Sequence, residues 1–171
     1  MSVNPADIDP NEVSARFDAQ MKDIESARQQ GRIVAPADEI AFGETKMQYI
    51  SLRISPLSGF AIKTMHAHLD EMAPGARSGR HRHASEAIMY VVEGAGYSVI
   101  DDVRHDWSVG DAFVVPANSW HQHFNASDTN RTRVFTVSNW PLTVATGLGY
   151  MENSEVNARF VDNGGKPGAS A

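Results

Sequence analysis

The N-terminal part of the chain carries a helical pattern. Four apolar residues recur at spacings of four, four and three, which places them on one face of a helix: Val13, Phe17, Met21 and Ile24. Asp9, with a proline after it, has the sequence of a helix N-cap, and Gly31 is a natural stop. We therefore predict a helix from about Pro10 to Gln30, whose apolar stripe packs on the domain or on a second subunit.

Beyond residue 46 the pattern changes to that of β-strands. Short runs rich in Val, Ile, Phe and Tyr are separated by Gly, Pro, Asp and Asn, as in consecutive antiparallel strands. The predicted strands are Met47–Ile54, Phe60–Leu69, Ala87–Glu93, Gly96–Ile100, Ala112–Pro116, His121–Asn125 and Arg133–Ser138. Because no helix-period segment interrupts them, we expect an all-β barrel or sandwich with one preceding helix.

This organisation divides the chain into three parts. The N-terminal helical arm spans residues 1–45, the β-domain spans 46–150, and a tail spans 151–171. After Tyr150 the apolar pattern stops, and the end of the chain, NGGKPGASA, is small and polar. We predict that this tail is flexible. Because the sequence has no internal repeat, we expect a single barrel.

Composition narrows the possible partners. Fifteen basic and 21 acidic residues give a net charge of −6, and no run of Lys or Arg could follow a phosphate backbone, so nucleic acid is not expected to bind. No stretch approaches the roughly 18 apolar residues of a membrane span, and the N-terminus does not resemble an export signal. We therefore expect a cytoplasmic protein.

There is no cysteine, so imidazole and carboxylate are the available metal ligands.

The histidines carry the candidate chemistry. Six of the seven fall in three His-x-His pairs, at positions 66 and 68, 81 and 83, and 121 and 123. In a strand, residues i and i+2 point to the same side, about 6.6 Å apart along the chain, so two imidazoles can reach one ion. A third ligand from another strand completes a set that leaves coordination positions open.

The residues around two of these pairs resemble the two motifs of the cupin superfamily. The first is GARSGRHRH followed by ASEAIMYVVEG, and the second is GDAFVVPANSWHQHFN, with Gly110, Pro116, His121 and Asn125 at the usual spacings. The resemblance spans roughly residues 72–142. It implies a single jelly-roll β-barrel whose interior holds one metal ion on His81, His83 and His121.

The first motif departs from the usual cupin pattern at its glutamate. Alignment on IMYVVEG places Ala87 at the usual carboxylate position, and Glu86 lies one residue early. Regular alternation turns Glu86 to the face opposite His83, although a bulge could bring it back. Glu86 is therefore interpreted as an outward-facing residue, with a fourth-ligand role as the alternative.

Three histidines without the glutamate resemble the gentisate 1,2-dioxygenase branch of cupins. That resemblance implies non-haem Fe(II) binding a ring substrate together with O2 and cleaving a C–C bond. Gentisate enzymes have two cupin units per chain, whereas this chain has length for one. Their first motif also carries an arginine that grips the substrate carboxylate, where this chain has Met89. The substrate is therefore expected to lack that carboxylate.

Further residues are assigned to the site on position alone. His123 shares a strand face with His121 and is predicted to orient substrate or move a proton, with a core histidine as the alternative. The candidate pocket residues are Met89, Arg80, His66, His68, Phe113 and Trp140. Trp120, next to His121, should point to the other face and pack in the wall, and His105 should be exposed.

The leading hypothesis is an Fe(II)-dependent, extradiol-like dioxygenase that uses O2 to cleave a small aromatic or an enolisable ketone. A cupin lyase or isomerase using Zn, Mn or Ni as a Lewis acid is the second possibility. A non-enzymatic binding cupin is the third. Imidazole ligands do not determine the metal, so Mn, Ni and Zn remain alternatives to Fe(II). The helix stripe suggests a homodimer or higher homo-oligomer.

Overall fold

The computed structural model describes residues 9–45 and 47–155. The first element is the predicted helix, α1 (Pro10–Gln30). The Asp9 side chain caps it by accepting a hydrogen bond from the Asn11 backbone N–H at 2.9 Å. Every residue of α1 is exposed or half-buried. Its apolar stripe therefore faces outward in the single chain.

The strands hydrogen-bond into two sheets. The first has the order β1-β2-β3-β10-β5-β8 and the second the order β11-β4-β9-β6-β7. The bounds are β1 (Gly43–Glu44), β2 (Tyr49–Ile54), β3 (His66–Met72), β4 (His81–His83), β5 (Ala87–Glu93), β6 (Ala95–Ile100), β7 (Val103–Ser108), β8 (Ala112–Val115), β9 (His121–Asn125), β10 (Thr132–Ser138) and β11 (Met151–Asn153). The mostly β architecture confirms the predicted fold class, but the described strands form the two facing sheets of a jelly roll and not one closed barrel.

The core lies between the two sheets. Its buried apolar residues come from five strands: Met72, Ala87, Met89, Val91, Trp107, Val115 and Val134. Along β10, buried and half-buried residues alternate strictly, as expected for a strand with one face inside. The inward face of the first sheet therefore forms one wall of the protein interior.

Several elements differ from the sequence prediction. The strand predicted at Phe60–Leu69 is instead β3 at His66–Met72, because residues 60–65 form turns and an isolated bridge. Sequence analysis did not predict β1, β4, β7, β11 or the short helix α2 (Trp140–Ala145). Met151–Asn153, assigned to a flexible tail, forms β11 and pairs with β4. The rest of that tail, residues 156–171, lies outside the described residues.

None of the helices in the described ranges has the length and apolar character of a membrane span.

A close contact joins the second sheet to the core. Gly96 in β6 pairs with Trp107 in β7, and the Trp107 indole covers the glycine. A Cβ built on Gly96 would lie 2.1 Å from the Phe124 carbonyl oxygen and 2.3 Å from the Trp107 ring. A side chain at this position would therefore displace the indole or separate the strands.

Replacing Gly96 by Ala is expected to lower the free energy of unfolding by about 1–3 kcal/mol, the usual cost of overpacking a close-packed interior. Urea denaturation of the metal-free protein measures this. Gly43→Ala is the matched control, because a Cβ there meets no atom within 4 Å. Equal stability of the two variants would contradict the close packing.

Candidate metal centre

The first and second histidine motifs meet across one strand pair. His81 and His83 lie on β4, and His121 lies on β9 directly opposite His81 in the register. Potential ligand nitrogens of the three imidazoles lie within 4.8 Å of one another. His81 and His121 are buried and His83 is half-buried. The structure therefore brings together the three predicted ligands, from neighbouring strands of one sheet.

Backbone carbonyls fix the orientation of each imidazole. The Nδ1 atom of His81 lies 2.9 Å from the Gly79 carbonyl oxygen. The Nδ1 atoms of His83 and His121 each lie 2.8 Å from a carbonyl oxygen, that of Ser85 and that of Ser119 respectively. A carbonyl oxygen can only accept, so each Nδ1 carries the proton and donates. The Nε2 atom of each neutral ring is therefore left with a free lone pair.

The distance between two of these Nε2 atoms fits a bound cation. His81 Nε2 lies 3.0 Å from His121 Nε2, and with both Nδ1 atoms protonated neither Nε2 has a proton to offer the other. Two nitrogen ligands about 2.1 Å from one ion are about 3 Å apart when they subtend roughly a right angle. The donor set therefore fits a divalent transition metal with the three histidines on one side and other positions free.

Burial keeps these imidazoles neutral. Burial lowers the pKa of His81 to about 4 and also lowers the pKa of His83. The pKa of His121 is shifted far below its usual value by burial and by the neighbouring His81. Neutral imidazole is the form that binds metals, so the site is ready for a cation at neutral pH.

His123 lies beside the three histidines in a fixed orientation. Its ring centroid is 5.5 Å from that of His121, and its Nδ1 lies 2.8 Å from Ser98 Oγ. The Trp107 indole N–H donates to the same Ser98 oxygen at 2.9 Å. Because the Ser98 oxygen already accepts this bond, its own hydroxyl proton is available to His123. Burial lowers the pKa of His123 to about 4, so this imidazole is neutral, and because its Nδ1 accepts from Ser98 its single proton lies on Nε2.

A cavity of about 140 Å³ opens beside the three histidines. Its size is close to the roughly 150 Å³ that admits a benzene ring in an engineered protein core. Four of the candidate pocket residues line it: His66, His68, Met89 and Trp140. The Trp140 ring stands edge-on to His83, with 6.5 Å between ring centroids. The cavity can hold a single aromatic ring next to the metal ligands.

The structure places two other candidate pocket residues elsewhere. Arg80 lies over the Trp120 ring at 4.7 Å and forms an ion pair with Asp102 at 3.5 Å. It points outward because alternation along the chain puts it on the face opposite His81. Phe113 stacks on Trp107 and packs against the core. Both assignments to the cavity lining are therefore corrected.

Glu86 lies away from the ligand atoms. Its side chain is exposed, and its backbone N–H donates to the Asn139 side-chain oxygen at 2.9 Å. The alternation of exposed and buried residues continues from Glu86 through β5 without a bulge at this point. The geometry gives no support to the alternative of a fourth ligand.

Several cavity residues were not found by sequence analysis. They come from the segment before β2 and from β10 and β11: Thr45, Met47, Gln48, Thr136, Ser138 and Met151. Thr136 and Ser138 follow from the alternation of β10 once the inner face is known. The signal for the others was lacking, because they approach the site through loop geometry and through β11, which has no strong strand pattern.

Comparison with known proteins agrees with this geometry. The family model described as "Cupin domain" matches residues 68–138, which include His81, His83 and His121. Residues 68–138 form a cupin domain. The resemblance read from the two histidine motifs is therefore confirmed.

The similar proteins include ring-cleaving dioxygenases. A 5-aminosalicylate 1,2-dioxygenase from Comamonas is 26% identical over 126 residues, which are 73% of this chain and 31% of that protein. Protein SchB from Streptomyces halstedii is 28% identical over 134 residues, or 75% of this chain and 91% of SchB. The salicylate 1,2-dioxygenase structure from Pseudoaminobacter salicylatoxidans matches 84% of this chain and 36% of its own, with 17% identity and a TM-score of 0.57. The chain thus spans about a third of the length of these two dioxygenases.

Loss of an outer-shell partner weakens metal binding by roughly 10- to 100-fold. Replacing His81 or His121 by Ala removes a proposed direct ligand, so binding of a divalent metal is expected to weaken by more than this. Metal analysis after dialysis against a metal buffer measures this. His105→Ala is the matched control, because His105 is exposed on β7. Full metal content in both ligand variants would contradict the assignment.

Proposed function

We propose that this cupin is a non-haem Fe(II) dioxygenase that uses O2 to cleave a C–C bond of a small aromatic or an enolisable ketone. The observation that carries the proposal is the set of three neutral imidazoles, each with its Nε2 lone pair free, beside a cavity of ring size. Similarity to part of the 5-aminosalicylate and salicylate dioxygenases supports the same reaction class. A cytoplasmic location stays a prediction.

The neutral ligand set suits an oxygen-donor substrate. Three imidazoles leave a divalent cation its full charge, which favours binding of an ionised hydroxyl or enolate oxygen. When bound, the ion supplies redox chemistry and open coordination positions. Both atoms of O2 enter the cleaved product, so no external reductant is needed.

The residues of the chain supply positioning and a hydrogen-bond donor. Met89 and Trp140 give the cavity apolar walls that hold a ring and exclude water. His123 lines the same cavity with its proton on Nε2, so we assign it a hydrogen bond to a substrate oxygen that orients the ring. Ser98 holds the His123 ring in place for that contact.

Anaerobic loading with Fe(II), followed by oxygen-uptake assays over catechols, hydroquinones, salicylates, hydroxyacetophenones and β-diketones, tests the proposal. Uptake above that of the metal-free protein is expected for at least one class. His123→Phe, which removes the N–H, is expected to lower kcat by about tenfold at unchanged iron content, the usual effect of losing one hydrogen bond. His105→Phe is the control and should behave as the wild type.

Two other outcomes would replace this proposal. Turnover without oxygen by the zinc-loaded protein would assign a lyase or isomerase that uses the ion as a Lewis acid. Ligand binding that survives His81→Ala and His121→Ala would assign a binding module. Absence of oxygen uptake with every class of compound would contradict the dioxygenase.

We also propose that the chain forms a homodimer through its exposed apolar surfaces. The α1 stripe is solvent-exposed, with Phe17 and Met21 each 63% exposed. On the outer face of the first sheet, Ile88 and Val114 are paired neighbours that are 57% and 60% exposed. Surfaces of this kind are typical of protein interfaces. A second copy of the chain can cover both, because each copy presents a helix stripe and an apolar sheet face.

Phe17→Lys is expected to shift the protein from dimer to monomer, because it places a charge in the apolar stripe. Light scattering coupled to size-exclusion chromatography measures the mass. Ser26→Lys is the matched control, because helical spacing puts Ser26 on the opposite side of α1. A wild-type monomer, or a Phe17→Lys protein that remains a dimer, would contradict the interface.

A further inference from the structure

The inward face of the first sheet carries one row of side chains across four strands. The register pairs His68 with Thr136, Thr136 with Met89, and Met89 with Phe113. His68 and Met89 both line the cavity beside the three histidines. The row therefore places a titratable imidazole two strands away from the apolar Met89.

His68 is one half of a buried ion pair. Its Nε2 lies 3.3 Å from Asp70 Oδ2, and both side chains are less than one-tenth exposed. Thr136 Oγ1 donates to the same carboxylate oxygen at 2.5 Å, which fixes Asp70 against β10. Burial lowers the pKa of His68, but the charge of Asp70 and the side-chain contact with it together outweigh burial and raise that pKa above its ordinary value. The same pairing lowers the pKa of Asp70.

Burial of this pair destabilises the fold, and some of its polar atoms have no hydrogen-bond partner. Within the described part of the chain, both ring nitrogens of His68 and Asp70 Oδ1 are buried without a partner in hydrogen-bond geometry. A buried polar group without a partner costs roughly 1–3 kcal/mol, and apolar residues in these places would pack at lower cost. Because His68 lines the cavity and its Nε2 faces Asp70, the Nδ1–H of a protonated His68 is left for a molecule bound there.

We propose that the His68–Asp70 pair anchors the end of the substrate remote from the metal, donating a hydrogen bond from His68 Nδ1 to an uncharged acceptor oxygen such as a carbonyl. This assignment rests on the proposed function for the substrate class and extends it to the second pole of the substrate. The pair carries no net charge, because the Asp70 carboxylate balances the imidazolium. An arginine in the same row would instead favour a carboxylate.

Binding to the zinc-loaded protein tests the anchor without any turnover. The probes are catechols that carry an acetyl, a carboxylate or a methyl group at ring position 3 or 4, so the two metal-binding hydroxyls are constant and only the remote group changes. Isothermal titration calorimetry is expected to show the acetyl compound of one series bound about tenfold or more tightly than its methyl partner, the value of a hydrogen bond from a charged donor. It should also bind more tightly than its carboxylate partner.

Two variants separate the anchor from a structural role. Asp70→Asn keeps the shape of the side chain and removes the charge that holds the second proton on His68, and His68→Phe keeps a ring and removes both donors. Each is expected to lose the acetyl-over-methyl preference while zinc content stays at the wild-type level. His105→Phe, at an exposed position on β7, is the matched control and should keep the preference.

Four results would overturn the anchor. These are equal binding of acetyl and methyl compounds by the wild type, tighter binding of the carboxylate compounds, a preference that survives both variants, and binding of no probe. The binding assay uses the zinc-loaded protein and the oxygen assay uses the Fe(II)-loaded protein, so the two proposals can fail separately. Selective binding to the zinc protein without oxygen uptake by the Fe(II) protein would refute the dioxygenase and leave the anchor intact. Oxygen uptake without this selectivity would refute the anchor alone.

Discussion

Three short hydrogen bonds from imidazole Nδ1 atoms to backbone carbonyls determine what the site can do. Each carbonyl belongs to a residue two positions from its histidine, at Gly79, Ser85 and Ser119, so the local path of the chain sets the tautomer of each ring. The jelly-roll sheets then bring β4 and β9 together so that the free Nε2 atoms converge. A cation is the partner that relieves the repulsion between their lone pairs.

The two sheets contribute different groups to the site. The second sheet supplies the three clustered histidines and His123, which is held through Ser98 and Trp107. The first sheet supplies the opposite wall, with Met89 as an apolar surface and the His68–Asp70 pair as a polar one. A substrate lying between the sheets would meet a metal at one side and a hydrogen-bond donor at the other. This division accounts for a ring-sized cavity with polarity at two ends.

Sequence reasoning succeeded where periodicity and spacing carry the information. The bounds of α1, β5 and β9 agree with the prediction, and the two histidine motifs identified the residues that converge. It failed at Phe60–Leu69, where apolar residues lie in turns, and at β4 and β11, which are three residues long and owe their conformation to strand pairing. Arg80 and Phe113 were misplaced because proximity in sequence does not fix the direction of a side chain. The His68–Asp70 pair depends on register between strands, which one sequence does not reveal.

The strand that carries two of the three histidines is weakly attached to the strand that carries the third. Within the described residues, β4 and β9 share a single paired position, His81 with His121, and these residues are 40 apart in the sequence. An ion bound to both would join the two strands, and because it binds only when they are paired, it would favour the paired state. Loading with metal would therefore slow the separation of β4 from its sheet and make the rim of the cavity more resistant to proteases than that of the metal-free protein.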